Sequence, residues 1–227
     1  WFGSDGWLYL CNHGTRSVDR LRPGTGERET LVDRFDGRKF NSPNDLVRAR
    51  DGSLYFTDPP YGLEGLDASP LKEMAANGVY HLSPDGQCMR LFSELSFPNG
   101  IALSPHQRWL YVAQSDPEAP HIFRAERRTD GEFGPLELWF DTSEFLAAGD
   151  PGLPDGMCVS TDGLVFATGP GGIFVLAPDG SMLARILTGR ATANCAFGGR
   201  DGRMLFMTAH DRLLRLSTSA TGVQWQR

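Results

Sequence analysis

An all-β propeller of four-stranded antiparallel blades is the fold that this sequence predicts, and three observations carry the prediction. A turn followed by a short apolar strand recurs five times, at intervals of about 40 to 55 residues. A second strand unit follows most copies. Glycine and proline are abundant, 27 and 15 residues, without a collagen-like period, which fits a turn-dense chain.

The recurring unit opens with Ser4-Asp-Gly-Trp-Leu-Tyr-Leu-Cys and Arg50-Asp-Gly-Ser-Leu-Tyr-Phe-Thr-Asp. It continues with His106-Gln-Arg-Trp-Leu-Tyr-Val-Ala, Thr161-Asp-Gly-Leu-Val-Phe-Ala-Thr and Arg200-Asp-Gly-Arg-Met-Leu-Phe-Met-Thr. Asp-Gly supplies the positive-φ residues of a tight hairpin, and the β-branched and aromatic residues after it suit a strand. The second unit reads Gly78-Val-Tyr-His-Leu-Ser-Pro-Asp-Gly and Gly172-Ile-Phe-Val-Leu-Ala-Pro-Asp-Gly, with looser copies at His121 and Arg212. Further strands such as Cys88-Met-Arg-Leu-Phe and Ser181-Met-Leu-Ala-Arg-Ile complete four per repeat, the pattern of a propeller blade. A β-sandwich explains the strands but not their shared register.

Two stretches interrupt the repeat. Between Gly62 and Asn77, Ser69 stands as an N-cap, Pro70 as the first helical residue and Gly78 as the stop, which predicts a short helix. Asp141 to Gly152 predicts a helical turn around Glu144-Phe-Leu-Ala-Ala. Such insertions serve either as lids over a site or as surface decoration.

Composition excludes several classes of function. Hydrophobic content of 40% with 22% charged residues is ordinary globular usage. The formal net charge of −6 argues against nucleic acid as a partner, because phosphate binding needs a basic face. No apolar run approaches the ~18 residues of a membrane helix, so no membrane partner is expected. Cys11, Cys88, Cys158 and Cys195 lie far apart without zinc-type spacing and are expected as buried free thiols. The chain opens on Trp1-Phe2-Gly3 without a signal segment. The expectation is therefore a single propeller domain over 1–227, N-terminally incomplete, in a compartment that the sequence leaves open.

The sharpest pattern lies upstream of the recurring units. Asn44, Asn99, Asp155 and Asn194 stand 10, 11, 9 and 10 residues before Leu54, Leu110, Leu164 and Met204, so they take the same place in four consecutive repeats. In a propeller the first strand of each blade lines the central channel, and equivalent positions there form a ring. Three amides and one carboxylate offer oxygen donors to a hard divalent cation: calcium first, with magnesium, manganese or zinc as alternatives. Asn and Asp after Pro also simply make turns at strand starts, which accounts for any one of them.

These segments resemble the gluconolactonase/regucalcin (senescence marker protein) family, in its bacterial gluconolactonase branch. Asn41-Ser-Pro-Asn-Asp-Leu-Val and Asp51-Gly-Ser-Leu-Tyr-Phe-Thr-Asp-Pro-Pro-Tyr-Gly-Leu63 carry the resemblance most distinctively. Phe97-Pro-Asn-Gly-Ile-Ala-Leu-Ser-Pro, Gly152-Leu-Pro-Asp-Gly-Met-Cys, Ala193-Asn-Cys-Ala-Phe-Gly and Thr208-Ala-His210 follow in the family's order, and Cys11-Asn-His-Gly-Thr-Arg resembles its Cys-Glu-His-Gly segment.

The resemblance implies a six-bladed β-propeller, of which about five blades stand in this chain, with one divalent metal and hydrolysis of sugar lactones. It implies metal ligation by Asn99 and Asp155 together with a first-blade Glu that has no counterpart here. It also implies a contact from Asn44 to metal or substrate. Ser42 stands where the animal branch has Arg. On this reading Asp155 is the catalytic carboxylate and a metal ligand, and Asn44, Asp58, Tyr61 and His210 contact substrate hydroxyls. Asn194 completes the ring and Asp45 stands behind Asn44, turned away from the channel. A turn or packing role remains open for Asp58, Tyr61 and His210. The other histidines, His13, His81, His106 and His121, are expected to be structural or exposed. The partner is a small sugar lactone. A phosphotriester-type hydrolase on the same site, and a non-catalytic calcium- or partner-binding propeller, stay open as alternatives.

Overall fold

The computed structural model describes residues 1–223. It divides into two compact units, Trp1–Ile101 and Ala102–Arg227, described here in turn.

The first unit opens with β1 (Leu8–Asn12), β2 (Ser17–Arg22) and β3 (Glu27–Val32), an antiparallel meander. Trp1 and Tyr9 exchange backbone hydrogen bonds and Phe2 bridges Leu8, so the first residues flank β1 on its free edge. A two-stranded hairpin follows, β4 (Arg34–Phe35) with β5 (Arg38–Lys39), which the repeat pattern does not predict. Then come β6 (Leu46–Arg48), β7 (Leu54–Asp58), β8 (Gly78–Leu82) and β9 (Cys88–Phe92), a four-stranded meander. β10 (Pro98–Leu103) runs to the junction and starts the next sheet, β10-β11-β12-β13.

In the second unit lie β11 (Trp109–Gln114), β12 (His121–Glu126), β13 (Glu137–Asp141) and a short helix, α1 (Ser143–Ala147). There follow β14 (Met157–Val159), β15 (Val165–Gly169), β16 (Gly172–Leu176) and β17 (Met182–Leu187), again four strands in order. The last sheet has three: β18 (Thr192–Gly198), β19 (Met204–Ala209) and β20 (Arg212–Ser217).

Five successive meander sheets thus match the five repeats, the blade pattern of an all-β propeller. Four strands per repeat hold in three sheets; the first and last have three. Burial follows strand order within a sheet. β7, β15 and β16 are covered on both faces, whereas outer strands such as β9 and β17 are largely exposed. That explains why the middle strands read as continuous apolar runs rather than as alternations.

The turns obey the predicted chemistry, with one informative exception. Gly6, Gly52, Gly163 and Gly202 hold positive φ before their strands. In the third repeat no glycine stands there, and Gln107 takes the left-handed conformation, φ 57°, in its place.

Each unit has its own core. Sheets β1–β3 and β6–β9 close over Trp7, Val18, Phe40, Phe56 and Tyr80. Phe40 meets Phe56 and Tyr80 edge-on at 5.2 and 5.1 Å between ring centres. In the second unit one cluster centres on Tyr111, Trp139 and Phe174, and a second on Phe166, Cys195 and Phe197.

One helix is as expected and one is not. α1 forms where Glu144-Phe-Leu-Ala-Ala predicts a helical turn. The helix predicted from Ser69 to Gly78 is absent; only a 3-10 turn over Leu66–Ala68 stands just before it. Side-chain donors take the segment's backbone acceptors instead: Lys72 Nζ, from within the segment, donates to the Met74 carbonyl, and the distant Asn41 Nδ2 to that of Ala76. Met74 is drawn into the core, 4% exposed, and a single isolated turn cannot offset its nucleation cost. Among the described residues no helix is long and apolar enough to cross a membrane.

Candidate functional site

Strands β7, β11, β15 and β19 begin at Leu54, Trp109, Val165 and Met204, and Asn44, Asn99, Asp155 and Asn194 each stand ten residues earlier. By pairing register Val165 rather than Leu164 takes the place of Leu54, whereas Leu110 keeps it: the Ser104 N–H reaches the Trp109 carbonyl as the Ala49 N–H reaches that of Ser53. The offsets are therefore 10, 11, 10 and 10 residues, the turn of the third repeat being one residue longer.

In the first unit, Asn44 and Asn99 meet: Asn44 Nδ2 donates to Asn99 Oδ1 at 2.5 Å. Asn99 is 5% exposed. The backbone beneath them is held by Thr57, fully buried, whose Oγ1 donates to the Asn99 carbonyl at 2.7 Å and accepts the Asp45 N–H at 3.2 Å. Asp45 has a definite task. Its carboxylate accepts the Ile101 N–H at 3.1 Å and the Leu46 N–H at 2.9 Å, so it fastens β10 to β6. Burial pushes its carboxyl up to about 6.

Asp58 does not lie at a rim. It is fully buried, and its two oxygens accept the N–H groups of Asn41 and Ser42, both at 2.8 Å. The expected contact with substrate hydroxyls is corrected accordingly: Asp58 shapes the Asn-Ser-Pro-Asn loop from behind. Ser42, buried too, donates to the Pro59 carbonyl at 2.6 Å and accepts the Gly62 N–H at 2.8 Å, which locks the Asp-Pro-Pro-Tyr turn. Asn41 completes this hub, its amide reaching the Asp58 carbonyl and Asn77 Oδ1. Tyr61 is half-buried and stacks on Phe97, ring centres 6.1 Å apart. Sequence reasoning missed the hub formed by Asn41, Ser42, Thr57 and Asn77. Its only signal was a density of small polar residues in a strand context.

Burial raises the Asp58 carboxyl to about 7 despite the two N–H donors. An unfolded Asp titrates near ~3.9, so between that value and 7 the folded chain keeps a proton that the unfolded chain has released. Stability therefore falls as pH rises from about 4 to about 7, by an order of 1–3 kcal/mol, and levels off above. Melting temperature against pH measures this. Asp58→Asn, less stable throughout, should flatten that slope and lose it between about 6 and 7, while Asp45 still contributes below about 6; an unchanged slope would assign it to another group.

In the second unit, Asp155 is half-buried just ahead of β14, and Asn194 is exposed within β18. The two strands are tied where Gly156 N–H donates to the Ala193 carbonyl at 2.8 Å, and Thr168 Oγ1 of β15 holds the Gly156 carbonyl at 2.9 Å. Asn194 Oδ1 accepts the following N–H, of Cys195, at 2.8 Å. Gly156 is required by contact rather than by φ: a Cβ there would stand 2.2 Å from Asn194 Cγ. Gly156→Ala is thus expected to expel the Asn194 side chain. Because that side chain is exposed, the melting temperature should barely move, a cost within about 1 kcal/mol. His210 lies in the β19–β20 turn with φ 52°, exposed, its Nδ1 3.6 Å from Asp211. His81 stacks on Tyr55 at 4.9 Å and His121 lies 3.4 Å from Asp141, packing and surface roles as expected; His13 and His106 are exposed.

The donor set suits a hard cation. Two carboxamides of one unit already converge, and a half-turn of the Asn44 amide brings its oxygen to the meeting point. In the second unit the residue at the equivalent position, Asp155, is a carboxylate. Among the described residues no three His, Cys, Asp or Glu side chains gather, so amide oxygens would supply most of any such shell.

Fold and inner-strand pattern together define a propeller with an amide-and-carboxylate array at its inner strand starts. Comparison with known proteins makes the relationship specific. Residues 2–211 match the family model described as SMP-30/Gluconolactonase/LRE-like region, and the chain belongs to that family. It is 42% identical over 223 residues to a gluconolactonase of Zymomonas mobilis, covering 97% of this chain and 62% of that protein. It is 26% identical over 245 residues to the lactonohydrolase oryL of Aspergillus oryzae, covering 96% and 56%. The chain thus spans about three fifths of the length of the curated relatives it matches. Among solved structures, a gluconolactonase of Xanthomonas campestris superposes with a TM-score of 0.82 at 34% identity, covering 94% of this chain and 69% of that one. A regucalcin of Agrobacterium tumefaciens superposes at 0.74 with 20% identity, covering 96% and 75%, a likeness of fold alone.

Proposed function

We propose that this chain carries the core of a divalent-cation-dependent lactonase acting on sugar (aldono-)lactones, within a six-bladed propeller domain. The observation that carries the reading is the equivalent placement of Asn44, Asn99, Asp155 and Asn194, ten or eleven residues before matching strand positions, in a chain 42% identical to a gluconolactonase.

Lactone hydrolysis adds water to the carbonyl carbon, passes through a tetrahedral oxyanion, and breaks the ring C–O bond to leave a hydroxy acid. Asn99, Asp155 and Asn44 are the residues that would hold the cation. When bound, it would polarise the carbonyl and lower the pKa of water beside it. Neutral Asn44 and Asn99 would leave its charge largely uncompensated. Asp155, the array's single carboxylate, takes the proton of the attacking water as general base. Tyr61 and His210 are proposed partners for the sugar hydroxyls, and Asn194 supports Asp155 from the neighbouring strand. Asp45 and Asp58 act through the backbone they hold.

Hydrolysis of aldonolactones by the full chain, assayed with and without chelator, tests the reading. EDTA should abolish turnover, and re-adding calcium, magnesium, manganese or zinc in turn should restore it and rank the metals. Undiminished turnover in EDTA would sink the metal-dependent mechanism. If Asn99 and Asp155 serve one ion, Asn99→Ala and Asp155→Ala should each lose the same single equivalent of bound metal. Gly156→Ala should also slow hydrolysis about tenfold or more while its melting curve stays in place.

A further inference from the structure

We propose that Cys158 and Cys195 are an oxidisable dithiol, a modification site that a small hydroperoxide converts to a disulfide across the inner strands of the second unit. The two residues are far apart in sequence and show no redox motif. The fold nevertheless sets their sulfur atoms 3.6 Å apart, in van der Waals contact, with Cys158 in β14 and Cys195 in β18. Both strands lie within one compact unit, where the Gly156 N–H to Ala193 carbonyl bond at 2.8 Å already joins their starts. The remaining approach of the sulfurs to bonding distance is therefore local.

The two thiols differ in access. Cys195 is 4% exposed and its sulfur donates to the Phe166 carbonyl at 3.2 Å, whereas Cys158 is half-buried. Cys158 is thus the sulfur that a small oxidant reaches first. Its thiolate attacks one peroxide oxygen, the O–O bond breaks, and the other oxygen leaves with a proton as water or alcohol, giving a sulfenic acid. The Cys195 thiol then attacks that sulfur and expels water. In sum, two thiols and one hydroperoxide give a disulfide, an alcohol or water, and a further water. Burial raises the Cys158 thiol well above its usual range, so the first step should quicken as pH rises. The link would fall directly beside Asn194, whose Oδ1 holds the Cys195 N–H.

Cys11 and Cys88 lie in the first unit and serve as internal controls. The folded full chain is treated with hydrogen peroxide, residual thiols are alkylated, and intact mass and peptide mapping are read. Loss of two hydrogens, two alkylated cysteines instead of the four present, and a linked peptide pair joining Cys158 to Cys195, reversed by reductant, are expected. Cys158→Ser and, separately, Cys195→Ala should each abolish the link. The wild-type map decides the matter even if a variant fails to fold. Four alkylatable thiols after treatment, a link between other cysteines, or overoxidation of Cys158 without a link would each overturn the proposal.

Discussion

Asp155→Ala is expected to lower kcat/KM for aldonolactone hydrolysis by about 10²–10⁴-fold while leaving the circular dichroism spectrum unchanged. The size follows from the array's composition. Asn44, Asn99 and Asn194 are neutral, so Asp155 is the residue there able both to accept a proton and to counter a cation's charge. Asp155 is half-buried at a strand start, ahead of β14, so truncating it opens no core cavity. Asp155→Asn separates the two tasks proposed for it: it keeps an oxygen donor and loses the base. It should therefore bind metal more weakly than wild type and stay as slow as the alanine variant. Near-wild-type turnover in both variants would move the base elsewhere and leave the array a structural feature.

Phe40→Ala should cost about 3–5 kcal/mol in urea unfolding. Phe40 is 0% exposed and meets Phe56 and Tyr80 edge-on, so its loss removes aromatic contacts from both and leaves a cavity that strands on either side cannot close. Its chain neighbour Asn41 is the polar hub that donates to Asp58 and Asn77, so the loss should also loosen the loop that carries Asn44. Phe40→Leu, which retains most of the volume, should cost less than half as much. A cost under about 1 kcal/mol for the alanine variant would mean that this loop is held by its hydrogen bonds alone.

Much of the architecture was legible because propeller repeats write the same local rules several times. Asp-Gly turns and apolar strands identified all five sheets, and where the third repeat lacks glycine, Gln107 adopts the left-handed conformation that the turn demands. The array was legible for the same reason, although only the pairing register showed that Val165 rather than Leu164 takes the matching place in the fourth repeat. The false helix at Ser69–Gly78 shows the limit. Its capping signals were correct locally, but Met74 gains more from the core than one turn of helix can return. Asp58 shows the same limit for function. A carboxylate in a polar turn reads like a contact for ligand, and only burial reveals that backbone N–H groups occupy both its oxygens.

By itself, then, the sequence determined the repeat, the strand content, the family resemblance and the identity of the four array residues. These are properties of short segments, set by turn chemistry and side-chain periodicity. Only the tertiary structure decided which polar groups face inward and what they touch. It brought Asn44 to Asn99 and strapped β10 to β6 through Asp45; it also placed Cys158 against Cys195. The physical reason is that such contacts join residues 37 to 56 positions apart. No local preference encodes them, and they form only where packed strands bring buried polar atoms within reach of the partners they need.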